Sequence, residues 1–177
     1  MRLNHIKILL LFCLSIAFGC TKNSLDANFT VTDSENFTIP PNSILTLPPI
    51  ITPPFSTSSW QGTYSNNNTD KNHIKSLKLK SLTLTITSPS GKTFGFLKSI
   101  DIYIQAPNLA DTKIATIDNI PSNIGGTLNM NTIDVDLSPY AKSDNFTLQV
   151  NSTPQSTNTD NVNVRSDAVF NVTASVL

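Results

Sequence analysis

The chain has 177 residues, 12 basic and 12 acidic side chains, a formal net charge of zero and only 14% charged residues. That balance excludes the basic footprint of a nucleic-acid partner, and two histidines with two cysteines exclude an ordinary zinc or iron centre, which needs several such ligands. Scarce Glu and Ala beside abundant Thr, Ile and Val favour strands and turns over helices.

The first twenty residues fall into three zones. A basic start with Arg2 and Lys7 is followed by an apolar run from Ile8 to Phe18 and then by the small residue Gly19 before Cys20. This is the layout of a secretory signal. The run, roughly eleven residues long, reaches about half the thickness of a hydrocarbon core as a helix, too short for a permanent span. Ala17-Phe18-Gly19-Cys20 resembles the lipobox of bacterial lipoproteins, with Ala17 where that family prefers Leu and Phe18 where it prefers a smaller residue. The resemblance implies a signal peptide over residues 1–19, acylation of the Cys20 sulfur with palmitate-type chains, and a membrane partner reached through that lipid. Thr21, rather than Asp, after the cysteine implies sorting to the outer membrane. Cys13 leaves with the signal, so no internal disulfide is expected.

Residues 20–36 are polar and read as a flexible tether, able to reach at most about 50 Å. Residues 37–72 read as a Pro-rich extended strap and loop. The pairs Pro40-Pro41, Pro48-Pro49 and Pro53-Pro54 remove backbone donors and push their predecessors into extended geometry, which bars a helix or a central strand. Ile44, Leu45, Leu47, Ile50 and Ile51 between them are too apolar for a free linker, so the strap is expected to lie on the domain and pair along an edge.

Residues 73–177 are expected to form the domain proper. Leu77 and Leu79 share one parity, while Leu82, Leu84 and Ile86 share the other, so a β-bulge near Lys80-Ser81 would bring all five to one face. Pro89-Ser90-Gly91-Lys92 reads as a turn. Ile100, Ile102 and Ile104 alternate with Asp101, Tyr103 and Gln105. Further strands are expected at 113–117, 128–130, 133–137, 145–150 and 162–176, and one helical turn at Ser138-Pro139, where Ser can cap and Pro suits the first helical position. Roughly seven to nine short strands predict an all-β antiparallel β-sandwich of immunoglobulin or jelly-roll style. The ladder also resembles the β-sandwich domains of small bacterial lipoproteins, which implies a fold and no activity.

No catalytic or metal-binding motif is evident, and no cofactor is expected. His73 lies in the polar stretch "TDKNHIK" and reads as a solvated loop residue. Asp134 and Asp136 would share a strand face about 6.5–7 Å apart; a solvated face is the simpler reading than a Ca²⁺ site or a two-carboxylate hydrolase. Lys75, Lys78 and Lys80 read as guards of an edge strand. Trp60 and Tyr64, among Ser, Asn and Thr, are the candidate binding residues, since aromatic faces beside amides suit sugars or protein partners; the simpler reading is that Trp60 plugs the end of the sandwich and Tyr64 starts a strand. The expected protein is therefore a non-enzymatic, lipid-anchored β-sandwich of the bacterial outer membrane, structural or recognising an envelope protein or glycan. The alternative is a glycan- or adhesin-type module using the loops around Trp60 and Tyr64.

Overall fold

Alternating inward and outward side chains build most of the molecule. The computed structural model describes residues 25–42 and 47–177. Its elements are β1 (Asp26–Ile39), β2 (Ile50–Ile51), β3 (Phe55–Ser56), α1 (Gln61–Asn66), β4 (Ile74–Ser88), β5 (Leu97–Gln105), β6 (Thr112–Ile117), β7 (Thr127–Asn129), β8 (Asn131–Thr132), α2 (Ser138–Lys142), β9 (Asn145–Pro154) and β10 (Val162–Ser175).

The pairing is nested. β1 pairs with β10, β2 and β3 with β9, β4 with β7 and β5 with β6, all antiparallel. A chain paired in this way is one long hairpin, and rolling it up sets β10 against β4 and β9 against β5. The product is a four-stranded sheet, β1-β10-β4-β7, packed on a second sheet, β2-β9-β5-β6-β8. This is jelly-roll connectivity, one of the two styles expected. Between the sheets, Leu77, Leu84, Val164 and Phe170 meet Ile100, Ile102, Ile104, Leu148 and Val150 in one buried core. Each such side chain contributes about 1.5–3 kcal/mol relative to an exposed one.

The bulge expected near Lys80-Ser81 is present. Leu79 pairs with Phe170 and Ser81 with Val169, so Lys80 is skipped, and Leu77, Leu79, Leu82 and Leu84 are all buried. A similar shift skips Lys75, which frees it to meet Asp26 at 2.5 Å. The reading of these lysines as edge guards is corrected: beside them β4 is paired with β10 on one side and sealed on the other by Asp136 and Leu137, which bond the Leu77 backbone, and Lys78 bonds Asp134 at 2.7 Å.

The division into tether, strap and domain also changes. Residues 26–36, read as a flexible spacer, belong to β1, which runs in unbroken register with β10 from Asp26↔Ser175 to Ile39↔Val162. The reason is visible in the inward parity of β1, Ala27, Phe29, Val31, Asp33, Glu35, Phe37 and Ile39: two acids interrupt the apolar series. The strap behaves as expected along an edge. Ile50 and Ile51 pair with Val150 and Gln149, and Phe55 and Ser56 with Phe146 and Asn145. Between them the Thr52 N–H donates to the Leu148 carbonyl at 2.9 Å, and the Leu148 N–H donates to Thr52 Oγ1 at 3.0 Å. Leu47 packs on the core; Ile44 and Leu45 lie outside the described residues.

Residues 133–137 do not form a strand, so Asp134 and Asp136 are not neighbours on a strand face. The segment runs beside β4 and passes into α2, which begins at Ser138 with Pro139 in its first turn and without a side-chain cap from the preceding residue. α1 and the 3₁₀ turn Thr57–Trp60 fall in the stretch read as a loop.

Candidate functional site

A cleft lies at the end of the sandwich where both ends of the described chain meet. There the Val176 N–H donates to the Leu25 carbonyl at 2.9 Å and the Leu177 N–H to the Asn68 carbonyl at 2.8 Å. The cleft, about 530 Å³, is lined by Ser56, Thr57, Gln61, Tyr64, Asp70, Lys71, Asp144 and Asn145 among others. Its walls come from local chemistry. Thr57 ties the 3₁₀ turn to the start of β9, its hydroxyl donating to the Ser143 carbonyl at 2.7 Å and its N–H to the Asp144 carbonyl at 3.2 Å. Opposite, Asp70 caps the turn Lys71–His73 by accepting the Asn72 N–H at 2.7 Å and the His73 N–H at 3.3 Å.

Charges line the rim in pairs. Lys71 Nζ lies 2.8 Å from Asp144, and His73 Nδ1 lies 2.9 Å from Asp70. The His73 hydrogen bond holds the Asp70 carboxyl below its ordinary value, and the Lys71 hydrogen bond does the same for Asp144. Both are therefore anionic at neutral pH. His73 is exposed, as expected, and stands with Asp70 rather than with a hydroxyl nucleophile.

Trp60 and Tyr64 are close to this cleft, but neither offers its ring to solvent. Trp60 is 2% exposed and Tyr64 3%. The indole packs with ring centroids 5.8 Å from Phe146 and 5.5 Å from Phe170, and Tyr64 meets Phe29 edge-on at 6.1 Å. Of the two readings, Trp60 as a plug at the end of the sandwich is what the structure has, with Tyr64 buried in α1 rather than opening a strand, and neither serves as a binding platform. Their polar atoms are poorly served. The Tyr64 hydroxyl is buried without a hydrogen-bond partner, and burial pushes it well above the ordinary phenol range. The Trp60 indole N–H faces the Asp33 carboxyl without a hydrogen bond of ordinary geometry. Burial, the leading cause, raises the Asp33 carboxyl above its usual value, although the Ser34 N–H donates to it at 2.9 Å.

The pair Asp134 and Asp136 does not converge on a site. Asp134 serves Lys78, while Asp136 accepts from Leu77 and Ser138. Among the described residues no group of three or more His, Cys, Asp or Glu side chains is placed to hold a metal ion, and no helix is long and apolar enough to cross a membrane. Cys20 lies outside the described residues.

A second surface was missed in the sequence reading. Tyr103 sits on the outward parity of β5, partly buried on the outer face of the second sheet, whereas the other described aromatic side chains are buried or packed against the core. The signal was available: in "IDIYIQ" the tyrosine alternates with the buried isoleucines.

No family model and no curated protein matches the chain. Solved structures similar to it include FLHE, at 10% identity over 85% of this chain and 97% of that one with a TM-score of 0.36. The decameric BFDV capsid protein is 8% identical over 85% and 99% of the two chains, also with a TM-score of 0.36. The tomato aspermy virus structure is 11% identical over 94% and 93%, with a TM-score of 0.31. A likeness this distant carries nothing about ligand or activity.

Proposed function

We propose that this chain is a lipid-anchored β-sandwich of the bacterial cell envelope, held at the outer membrane by acyl chains on Cys20 and acting as a structural or recognition component without catalysis. The observation that supports this reading most is the sequence Ala17-Phe18-Gly19-Cys20 behind a basic and apolar leader, set just upstream of a strand that opens at Asp26. Five residues lie between Cys20 and Asp26, and the six residue steps span at most about 20 Å. An acylated Cys20 would therefore keep the domain close to the bilayer. It would turn toward the head groups the end that carries the cleft, Lys71 and the last residues of β10. Two or three acyl chains at about 0.8 kcal/mol per buried methylene suffice for stable anchoring without an apolar protein patch.

The experiment is replacement of Cys20 by Ser, followed by metabolic labelling with a clickable palmitate analogue and membrane fractionation. The expected result is loss of label and release of the domain from the outer-membrane fraction. Retention of an unlabelled Cys20→Ser protein on membranes would overturn the reading.

A further inference from the structure

The open face of the second sheet carries a built arrangement that packing alone does not require. Across four neighbouring strands the register sets Ile51 beside Gln149, Gln149 beside Tyr103 and Tyr103 beside Lys113. Ile51 is 50% exposed, one of three large apolar side chains left in solvent among the described residues. An exposed aliphatic and a partly buried ring thus flank one amide, making an amphipathic strip roughly three strand spacings, about 14 Å, wide.

Polar groups border this strip in a directed series. Gln105 donates to Gln149 at 3.0 Å, and Gln149 donates to Asn151 at 3.0 Å. The other Gln105 contact, to Asp111 at 2.6 Å, fixes the start of the relay. Such a chain polarises in one sense, and it leaves the Asn151 amide nitrogen as its outward donor. On the opposite flank Lys113 lies 2.8 Å from Asp101 and over one face of the Tyr103 ring, 5.5 Å from its centroid, while Thr116 donates to Asp101 at 2.6 Å. Lys113 and Asp101 neutralise each other, and the Asp111 carboxylate at the start of the relay is left as the charge bordering the strip, so the strip holds ordered donors and acceptors and, among the described residues, no unpaired cation for an anionic ligand.

We propose that this face, centred on Tyr103 between Ile51, Gln149 and the Asp101–Lys113 pair, docks a neutral oligosaccharide strand. Pyranose rings have an apolar face that stacks on an aromatic ring and an equatorial rim of hydroxyls that both donate and accept, which matches an aromatic bordered by amides. The matched ion pair disfavours phosphate or carboxylate ligands, which would leave Asp101 opposed to like charge. The open shape of the strip suits an extended chain rather than a small enclosed ligand. The proposal is independent of the anchor on Cys20.

The test is binding of the purified full chain to an array of neutral oligosaccharides, with sulfated and phosphorylated glycans of the same backbones as controls, then titration of the strongest neutral binder. Tyr103→Ala is expected to weaken that binding about tenfold or more, and Tyr103→Phe, which keeps the ring, by about threefold or less. Thermal unfolding of both variants should stay near that of the parent, since the ring is outside the core. The proposal fails if no neutral glycan binds, if the charged controls bind better, or if Tyr103→Ala binds as the parent does. It fails equally if size-exclusion chromatography shows that Tyr103→Ala splits a dimer, because the strip would then face a second copy of the chain.

Discussion

The carboxylate of Asp136 accepts the backbone N–H of Leu77 at 3.0 Å, while the neighbouring Leu137 N–H donates to the Leu77 carbonyl at 2.7 Å. A side chain and a main chain together do what a paired strand would do. β7 covers β4 only at Thr83–Thr85, so the rest of that edge would otherwise expose backbone groups next to the core. Asp136 also accepts the Ser138 N–H at 3.1 Å and the Ser138 hydroxyl at 2.8 Å, which joins this seal to the start of α2.

Asp136→Ala is therefore expected to lower stability by about 1–3 kcal/mol, the cost of leaving a part-buried N–H without its acceptor. Asp136→Asn, which keeps one carbonyl oxygen, should cost less. The pH dependence has a definite sign. Burial pushes the Asp136 carboxyl up, but the bonds from Leu77 and Ser138 outweigh it and hold the group below its ordinary 3.8. The stabilisation is thus present above pH 3.8 and is lost as pH falls through the lower folded value. Asp101 is likewise lowered, its bonds from Lys113 and Thr116 outweighing burial. Urea midpoints measured from pH 2.5 to 7 should fall below about pH 4 in the parent and fall less in Asp136→Asn. Parallel curves would remove Asp136 from this account.

Trp60→Ala should cost about 3–5 kcal/mol, as for a buried aromatic replaced by a cavity. The ring fills the space between Phe146 and Phe170. A guanidinium titration checks this. A change within about 0.5 kcal/mol would instead mark a surface residue.

Tyr64→Phe should leave stability unchanged or raise it by up to about 1 kcal/mol, because the hydroxyl removed is buried and unpartnered and its desolvation cost disappears with it. Thermal unfolding of the two proteins side by side decides the matter. A loss of stability would mean that the hydroxyl has a bridging water as partner.

Gly95→Ala should destabilise by about 1–3 kcal/mol, the range for overpacking. A Cβ at Gly95 would fall inside the contact distance of the Ser122 main chain, and backbone cannot swing aside as a side chain can. The Thr93 hydroxyl accepts the Gly95 N–H at 3.3 Å, so the turn is also held from within. Denaturation midpoints equal to those of the parent would show that the 121–124 loop gives way freely.

The parts of the fold legible in the sequence are those where apolar parity is clean. The leucines of β4 disclosed even the skipped residue Lys80, because a parity switch inside an unbroken ladder has few other causes. β1 was hidden by Asp33 and Glu35, whose inward positions are tolerated because they lie on the outermost strand of their sheet. Residues 133–137 alternate like a strand, yet a side-chain acceptor replaced the backbone one, and periodicity does not report that. Trp60 and Tyr64 are four residues apart, the spacing of one helical face. Trp60 reads as a plug of the sandwich end from the sequence as well, but that spacing, rather than a strand start at Tyr64, is what identifies the short helix. Tyr103 was legible by parity alone, but its amide relay depends on the register of β5 with β9, which only the assembled sheet supplies.

The nested pairing has a consequence for when the protein can fold. β10 lies between β1 and β4, so β1, the first of the described strands, has no ladder partner until the fourteen residues of β10 have been made. Closing such distant pairs is slow compared with local structure formation. The sheet that β1 opens is thus the last to close, and β1 waits for it as an unpaired strand whose inward parity is mostly apolar.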